Sequence, residues 1–307
     1  FGTGGAAGYF GARLAEAGEK VTFIARGEHL QAMQTSGLYV ESIKGDMHIQ
    51  PIRAFADPAQ AGIADVVLLG VKTWQVEEAA RAMGPLLGPE TAVLPLQNGV
   101  EAPDQLAVIV GPEHVLPGLA RIISFIKGPG HLCHSGLEPF LAFAEPDGAS
   151  SSRTRKLRQA CEQAGIAADI PNDIQAALWE KFLFVAAFGG VGAVTANAPI
   201  GILRSLPETR QMLRQAMQEI ADLAAARGIA LPAGIVDTTL AFMDALPEGG
   251  TTSLQRDLAE GRPSELEAWN GAVVRLGREA GIDAPLHAFI SHSQLPRELR
   301  ARGCLNF

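Results

Sequence analysis

The chain has 307 residues, 47% of them hydrophobic, and a formal net charge of −8 at pH 7. This length suits two domains with separate cores, and the negative charge argues against a nucleic-acid surface, which needs basic patches. No charge-free apolar run reaches the ~18 residues of a membrane span, so we expect a protein that neither crosses a membrane nor binds nucleic acid.

The first residues predict a dinucleotide-binding turn. They follow the pattern Gly-x-Gly-x-x-Gly/Ala, in which Gly2 permits a tight turn and Gly4 lets the backbone approach a pyrophosphate. A helix starting near Gly5 would point unpaired N–H groups at that pyrophosphate. The alternative is an ordinary turn in a glycine-rich chain. We assign cofactor binding to the whole turn: Gly2, Thr3, Gly4, Gly5, Ala6 and Ala7.

The residue after the second predicted strand indicates the cofactor. This strand spans residues 21–25, and Arg26 follows where an NAD-binding protein usually carries Asp or Glu. A guanidinium suits a 2′-phosphate, so we predict NADP(H). Only Phe1 precedes Gly2, and we therefore expect most of the first strand to be missing from this sequence.

Strands and helices continue to alternate along the N-terminal half, which predicts a parallel, doubly wound sheet. The fold class we predict is an α/β Rossmann N-terminal domain, residues 1–172, with an all-α C-terminal domain, residues 173–307. Predicted strands and helices of the first half cover residues 64–71, 76–83, 92–95, a short helix near 104, a strand pair at 115–125 and 137–144, a helix at 153–164 and a strand at 167–170.

The second half reads as helical almost throughout. We predict helices over residues 174 to about 187, 208–226, about 232–245, 254–260 and 265–280, the last preceded by Ser264 as N-cap. Residues 296–307 are expected to form a loosely attached tail.

Polar residues at predicted strand ends are the first candidates for chemistry, because open parallel sheets bind ligands at their carboxyl edge. Lys72 follows one such strand and Asn98 another. The structural alternatives are a solvated loop lysine and a plain Asn-Gly turn.

In the helical half, Lys181 lies in the apolar stretch LWEKFLFVAAFGG. A half-buried lysine can donate a proton to a developing alkoxide, which makes Lys181 a candidate acid, although it could also extend to solvent beside Glu180. Glu265 lies in the first turn of its predicted helix, where a carboxylate is also a common capping choice.

Five motifs occur in order along the chain: GTGGAAGYFGARLAEAGEKVTFIARGEHL, VKTWQ, LPLQNGV, LWEKF and TSLQRDLAEGRPSELE. This ordered set resembles the ketopantoate reductase family. The resemblance implies NADPH-dependent reduction of a 2-oxo acid to a 2-hydroxy acid, foremost 2-dehydropantoate (ketopantoate) to pantoate. It implies catalytic roles for Lys181 as general acid and Glu265 beside it. It also implies that Asn98 bridges substrate and nicotinamide, that Ser253 binds substrate and that Lys72 borders the cofactor.

Three positions depart from that family's pattern. Val185 and Gly189 stand where members acting on ketopantoate commonly have asparagine, and Gly250 replaces a polar residue shortly before Ser253. Losing these amides removes groups that would orient a hydroxylated substrate, so a more apolar 2-oxo acid is the alternative substrate.

Other functions are less favoured by the residues. A catalytically silent NADP-binding sensor is possible, but Lys181, Asn98, Ser253 and Glu265 are all retained. A 3-hydroxy acid dehydrogenase would carry a glycine-rich substrate motif that is missing.

The segment 131–134 lacks a second ligand pair, so we predict no metal site. Three widely spaced cysteines indicate reduced thiols and a cytoplasmic location, and the expected partner is a small-molecule substrate, with a homodimer possible.

Overall fold

A computed structural model describes residues 1–306 of the chain. It divides into two compact units. The first comprises Phe1–Gln97 and Glu101–Ile174, and the second comprises Asn98–Val100 together with the chain from Gln175 onward. The first unit is mixed α/β and the second is helical, which confirms the predicted fold class.

The helices and strands of the first unit follow in chain order: α1 (Gly5–Glu16), β1 (Phe23–Ile24), α2 (Gly27–Ser36), β2 (Leu38–Ser42), β3 (Met47–Ile49), β4 (Ala54–Phe55), β5 (Val66–Leu69), α3 (Val76–Ala82), β6 (Ala92–Pro95), α4 (Ala102–Val110), β7 (Gly118–Gly128), β8 (His131–Phe143), α5 (Ser152–Gln163) and β9 (Ala167–Asp169). Those of the second unit are α6 (Ile174–Val194), α7 (Ile200–Ser205), α8 (Pro207–Ala226), α9 (Ile235–Asp244), α10 (Ser253–Ala259), a π-helical segment (Glu267–Gly271), α11 (Ala272–Ala280) and α12 (Pro285–Ala301).

The parallel layer of the first unit has the glycine-rich turn at its centre. Strand β1 pairs in parallel with β4, and β5 pairs in parallel with β6. Backbone hydrogen bonds join Gly2 and Thr3 to Ile24 on one side, and Phe1 to Leu68 and Gly70 on the other. The turn therefore starts at the carboxyl edge between β1 and β5, where ligands of such sheets bind.

An antiparallel layer accompanies it. Strands β7 and β8 pair antiparallel, as the sequence pattern around the 128–130 turn predicts. Strand β2 joins β8 in parallel and carries β3 on its other edge. Strands β2 and β3 are not predicted from the sequence, because they are short and their exposed positions hold polar residues.

Helix α6 forms the centre of the second unit. By length and composition it could cross a membrane, but 67% of its apolar 18-residue stretch is buried inside the structure, as in a core helix. The predicted end near residue 187 is wrong, since the helix continues to Val194. The glycines near the C-terminal end of α6 allow close packing against neighbouring side chains. A Cβ at Gly190 would collide with Asn270, and one at Gly192 would collide with Gln255. Close packing thus offsets their low helix propensity.

Residues 296–302 are not part of a loose tail, so that prediction is wrong for this stretch. Helix α12 continues through Pro296 to Ala301. Glu298 is buried and accepts hydrogen bonds from the backbone N–H and hydroxyl of Ser264. Phe307, the last residue of the predicted tail, lies outside the described residues.

A buried histidine links three helical segments of this unit. His287 Nε2 donates to the Ala216 carbonyl at 3.0 Å, while Nδ1 accepts from the Asn270 side chain at 2.9 Å. Its backbone N–H donates to Glu219. Burial lowers the pKa of His287 below its ordinary 6.5, an effect opposed by the bond to Ala216 and by the charge of Glu219. The neutral ring is the form that fits this network.

We expect His287 to make the protein less stable in acid. Because its folded-state pKa is lowered, the unfolded chain binds the proton more readily, so the contribution to stability is complete above pH 6.5 and is lost as the pH falls towards the folded-state pKa. Urea unfolding at pH 7.5 and 5.5 measures this loss. His287→Gln should reduce the difference between the two pH values, whereas His292→Asn, at an exposed position of the same helix, should not. An unchanged difference in His287→Gln would contradict the assignment.

Candidate functional site

The glycine-rich turn contains glycines that the fold itself requires. Gly2 has a positive φ of 75°, and a Cβ there would lie 2.5 Å from Val71 Cγ1. A Cβ on Gly5 would overlap the backbone oxygen of Ser124 in β7. Both positions therefore exclude a side chain whatever the turn binds.

Gly4 is different, because the fold does not require a glycine there. Its backbone is extended, with φ −86°, and the nearest atoms to an added Cβ would be the carbonyl oxygens of Gly70 at 3.6 Å and Gly2 at 3.9 Å. Gly4 is also the N-cap of α1 and makes no side-chain cap hydrogen bond. The space that a side chain would fill stays open beside the helix N-terminus, which fits the approach of a pyrophosphate.

The other turn residues serve the packing of α1. The Thr3 hydroxyl donates to the Ile24 carbonyl at 3.0 Å, and Ala6 is half-buried. Ala7 packs so closely against the end of β5 that a Cβ on Gly70 would collide with it. This is the helix–strand contact that the third small residue of the motif provides.

Arg26 lies at the carboxyl end of β1 as the N-cap of α2. Its Nη2 atom lies 2.8 Å from Glu78 Oε1, in the first turn of α3. Lys72 is half-buried at the start of the turn before α3, with its ammonium 5.8 Å from the centre of the Trp74 ring. The cationic groups predicted for the cofactor thus follow β1 and β5, on either side of the glycine-rich turn.

His29 is not among the residues predicted from the sequence. Its Nδ1 accepts a hydrogen bond from the Gly130 backbone N–H at 3.0 Å, and its Nε2 is buried without a partner in good geometry among the described residues. Burial lowers the pKa of His29, and a weaker contact with the Thr3 backbone opposes this. Through its Nδ1 the ring links the helix after Arg26 to the turn between β7 and β8. A histidine three residues after Arg26 was the only signal available in the sequence.

Asn98 follows β6 and belongs, with Gly99 and Val100, to the second unit. Gln97 holds the turn by donating to the carbonyls of Leu69 and Val71. Gly99 has φ 118°, and an added Cβ would lie 3.2 Å from the Ala268 carbonyl oxygen. Asn98 is half-buried. The Asn-Gly turn is therefore real, and it also carries Asn98 towards the segment after Glu265.

The remaining candidates meet around one face of α6. Lys181, Val185 and Gly189 are spaced four residues apart and so share a helical face. A Cβ on Gly189 would lie 2.8 Å from Trp269 Cζ3 and 3.1 Å from Thr252 Oγ1. Trp269 is one turn beyond Glu265, and Thr252 directly precedes Ser253. The α6 face therefore packs against the two segments that bear Glu265 and Ser253.

The surroundings of this face are mostly apolar and closely packed. Glu265 is buried, whereas Lys181 and Ser253 are half-buried. Ser264 accepts from the Leu266 N–H as a capping residue, but the predicted α-helix after it begins as the π-helical segment. Single π-helical turns often occur at functional sites. An ammonium group that is partly removed from water in such surroundings can donate a proton to an alkoxide.

Gly189 has a packing reason that the sequence did not show. The Trp269 ring occupies the space of a residue-189 side chain, so an amide at position 189 would not fit without displacing that ring. Val185, by contrast, is half-buried. At Gly250, the carbonyl accepts from the Ile200 N–H at 2.9 Å. The side chains expected at positions 185, 189 and 250 are therefore replaced by an apolar side chain at Val185 and by backbone alone at the two glycines.

The His-Leu-Cys-His segment in β8 is engaged in ordinary structural contacts. His134 is buried, with Nδ1 2.8 Å from the Ser42 hydroxyl and Nε2 2.8 Å from the Leu137 carbonyl. Within residues 1–306 no group of three His, Cys, Asp or Glu side chains could hold a metal ion.

Comparison with protein families gives two matches that together span most of the chain. Residues 1–148 match the family described as ketopantoate reductase PanE/ApbA, and residues 173–293 match the C-terminal domain of that family.

Individual relatives agree with this match. A 2-dehydropantoate 2-reductase of Mesorhizobium japonicum is 31% identical over 99% of this chain and 98% of its own length. The crystal structure of a PanE/ApbA family ketopantoate reductase from Ralstonia eutropha superposes with TM-score 0.89 at 30% identity, covering 98% of each chain. A D-mandelate dehydrogenase crystallised with NADH and anilino(oxo)acetate also superposes with TM-score 0.89, covering 98% of each chain, and at 21% identity it shows a shared fold.

Proposed function

Because the chain belongs to the ketopantoate reductase PanE/ApbA family, we propose that it reduces the carbonyl group of a 2-oxo acid with NADPH. The observation that carries this proposal is the packing of the Lys181 face of α6 against the segments bearing Glu265 and Ser253. The open backbone at Gly4 supports a dinucleotide as the second substrate.

The residues divide the chemistry between them. When bound, NADPH would supply the hydride that reduces C2 of the 2-oxo acid. Lys181 stabilises the oxygen as negative charge develops on it and donates the proton that completes the hydroxyl group. Asn98 and Ser253 bind the substrate, and Glu265 lies beside the ammonium group and orients it. The cofactor is held by Gly2, Thr3, Gly4, Gly5, Ala6, Ala7, Arg26, Lys72 and Asn98.

Arg26 should select NADPH over NADH. One charge-assisted contact with the 2′-phosphate favours NADPH by ~1.5–3 kcal/mol, and Arg26→Ala should remove most of that preference. Dissociation constants of both cofactors, measured by nicotinamide fluorescence, test this. The side chain is 65% exposed, so its loss should leave the unfolding free energy nearly unchanged. Equal affinities for NADPH and NADH in the unmodified protein would rule out the assignment.

Ketopantoate is the first substrate to test, since the relative from Mesorhizobium japonicum is a 2-dehydropantoate 2-reductase. A more apolar 2-oxo acid is the second candidate. The observation that favours it is the half-buried Val185 one turn after Lys181, with Trp269 filling the space at Gly189. An apolar wall discriminates weakly between ligands of similar size, whereas amides select a hydroxylated one.

Val185→Asn should raise kcat/KM for ketopantoate relative to an apolar 2-oxo acid of similar size. One new hydrogen bond predicts a change of about two- to tenfold, and Val185→Leu, whose side chain is branched like that of asparagine but has no amide, should not produce it. Gly189→Asn should instead lower the unfolding free energy by ~1–3 kcal/mol, because its side chain overlaps Trp269. If the unmodified enzyme already prefers ketopantoate by several orders of magnitude, other residues supply the missing contacts.

NADPH oxidation against a panel of 2-oxo acids, with ketopantoate included, tests the proposed activity. Turnover of at least one member supports a reductase. NADPH binding without turnover of any member would favour the sensor alternative. We further propose a cytoplasmic enzyme acting on a free small molecule, and a homodimer, which light scattering would detect.

A further inference from the structure

The ion pair of Arg26 lies at the edge of the sheet where cofactor selectivity is decided. Arg26 caps the helix after β1, and Glu78 lies in the first turn of the helix after β5. These two strands flank the segment from Phe1 to Thr3, which leads into the glycine-rich turn. The pair therefore joins the two sides of the carboxyl edge, near the place where the adenosine ribose of a dinucleotide binds in such sheets.

The Glu78 carboxylate is already paired with the guanidinium of Arg26, so a phosphate that binds this guanidinium must compete with Glu78. The Nη2 atom of Arg26 lies 2.8 Å from Glu78 Oε1, and both side chains are exposed, at 65% and 62%. NADP differs from NAD by a 2′-phosphate with a charge between −1 and −2 near neutral pH. A phosphate that takes the guanidinium must displace the carboxylate or accept a negative charge beside it, and either event costs binding energy.

We propose that Glu78 is a specificity-determining residue of the cofactor site, which competes with the 2′-phosphate for Arg26 and so narrows the preference for NADP(H) over NAD(H). This inference rests on the proposed role of Arg26. Glu78 lies on a helix distant in sequence from Arg26, so the residues next to Arg26 in the sequence do not identify Glu78 as its partner. Lys72, at the start of the turn before α3, is the further cation on this side of the edge.

The size of the effect follows from the exposure of the pair. Exposed ion pairs contribute up to about 1 kcal/mol, so Glu78→Gln should tighten NADPH binding about two- to fivefold. NADH lacks the phosphate, and its affinity should stay the same. The gain should shrink in 0.5 M NaCl, where the Debye length falls to roughly 4 Å.

A matched control lies next to it in the chain. Glu77 is also exposed and in the first turn of α3, but it pairs with Arg81 within the same helix. Glu77→Gln makes the same change in net charge and should alter the NADPH dissociation constant less than Glu78→Gln does. In an Arg26→Ala background, Glu78→Gln should give no gain beyond that of Glu77→Gln.

Dissociation constants of NADPH and NADH for these variants decide the matter. Equal effects of Glu78→Gln and Glu77→Gln would overturn the inference, and so would weaker NADPH binding in Glu78→Gln, which would mean that the carboxylate orients the guanidinium. The role of Arg26 is tested separately. If Arg26→Ala leaves NADPH affinity unchanged, the proposed cofactor assignment fails, whereas a loss in Arg26→Ala without a gain in Glu78→Gln refutes the Glu78 inference alone.

Discussion

Replacing Lys181 by alanine is expected to lower turnover of the preferred 2-oxo acid by ~10²–10⁴ while leaving NADPH affinity nearly unchanged. The reason is the position of Lys181, which is half-buried on the α6 face that packs against the segments of Glu265 and Ser253. In the proposed mechanism, loss of this ammonium group removes the donor that protonates the oxygen anion formed by hydride transfer. Steady-state kinetics and cofactor fluorescence measure the two quantities.

Glu180→Ala is the matched control for this experiment. Glu180 is the neighbouring residue on the same helix and is also half-buried, but it points away from the face shared by Lys181, Val185 and Gly189. It should keep most of the activity. Circular dichroism and thermal unfolding establish that both variants are folded. A folded Lys181→Ala protein with normal turnover would refute the role of Lys181 as the acid.

Two neighbouring glycines should respond in opposite ways to the same substitution. Gly5→Ala is expected to lower the unfolding free energy by ~1–3 kcal/mol or more, because its Cβ overlaps a backbone oxygen of Ser124 that cannot rotate away. Gly4→Ala meets no atom closer than 3.6 Å and should leave stability unchanged or raise it by about 0.4–1 kcal/mol. Its methyl group nevertheless fills the opening beside the α1 N-terminus, so NADPH affinity should fall more than tenfold.

Urea unfolding and cofactor titration together check this pair. The informative variant is Gly4→Ala, since it separates stability from binding. A stable Gly4→Ala protein that binds NADPH as well as the unmodified chain would show that the pyrophosphate does not approach this backbone. Destabilisation of both variants to the same degree would contradict the steric difference between the two positions.

The fold could be predicted from the sequence where local patterns carry it. The alternation of apolar strands and amphipathic helices predicts the α/β unit, and the residues of β6 were predicted without error. The end of α6 was missed because Gly189, Gly190 and Gly192 look like a terminus. Their tolerance comes from tertiary packing against Trp269, Asn270 and Gln255, which no local propensity contains.

The candidate site shows the same division. The turn from Gly2 to Ala7 and the positions of Arg26 and Lys181 follow from motif and periodicity. The ion pair of Glu78 with Arg26 and the hydrogen bond of His29 with Gly130 could not be predicted, because each joins segments that are distant in sequence. The steric reason for Gly189 likewise depends on Trp269, which is eighty residues later in the chain.

The proposed reaction is hydride transfer from a nicotinamide to C2 of a 2-oxo acid, and the transfer of a deuterium label tests it. NADPH deuterated at C4 is mixed with the enzyme and the best 2-oxo acid of the panel, and the product is analysed by mass spectrometry and NMR. We expect a 2-hydroxy acid with one deuterium at C2, formed in amounts equal to the NADPH oxidised. The proposed reaction would be contradicted if NADPH were oxidised and no deuterium reached C2, whichever of the two C4 positions carried the label. It would also be contradicted if the folded, NADPH-binding protein formed no hydroxy acid from any member of the panel.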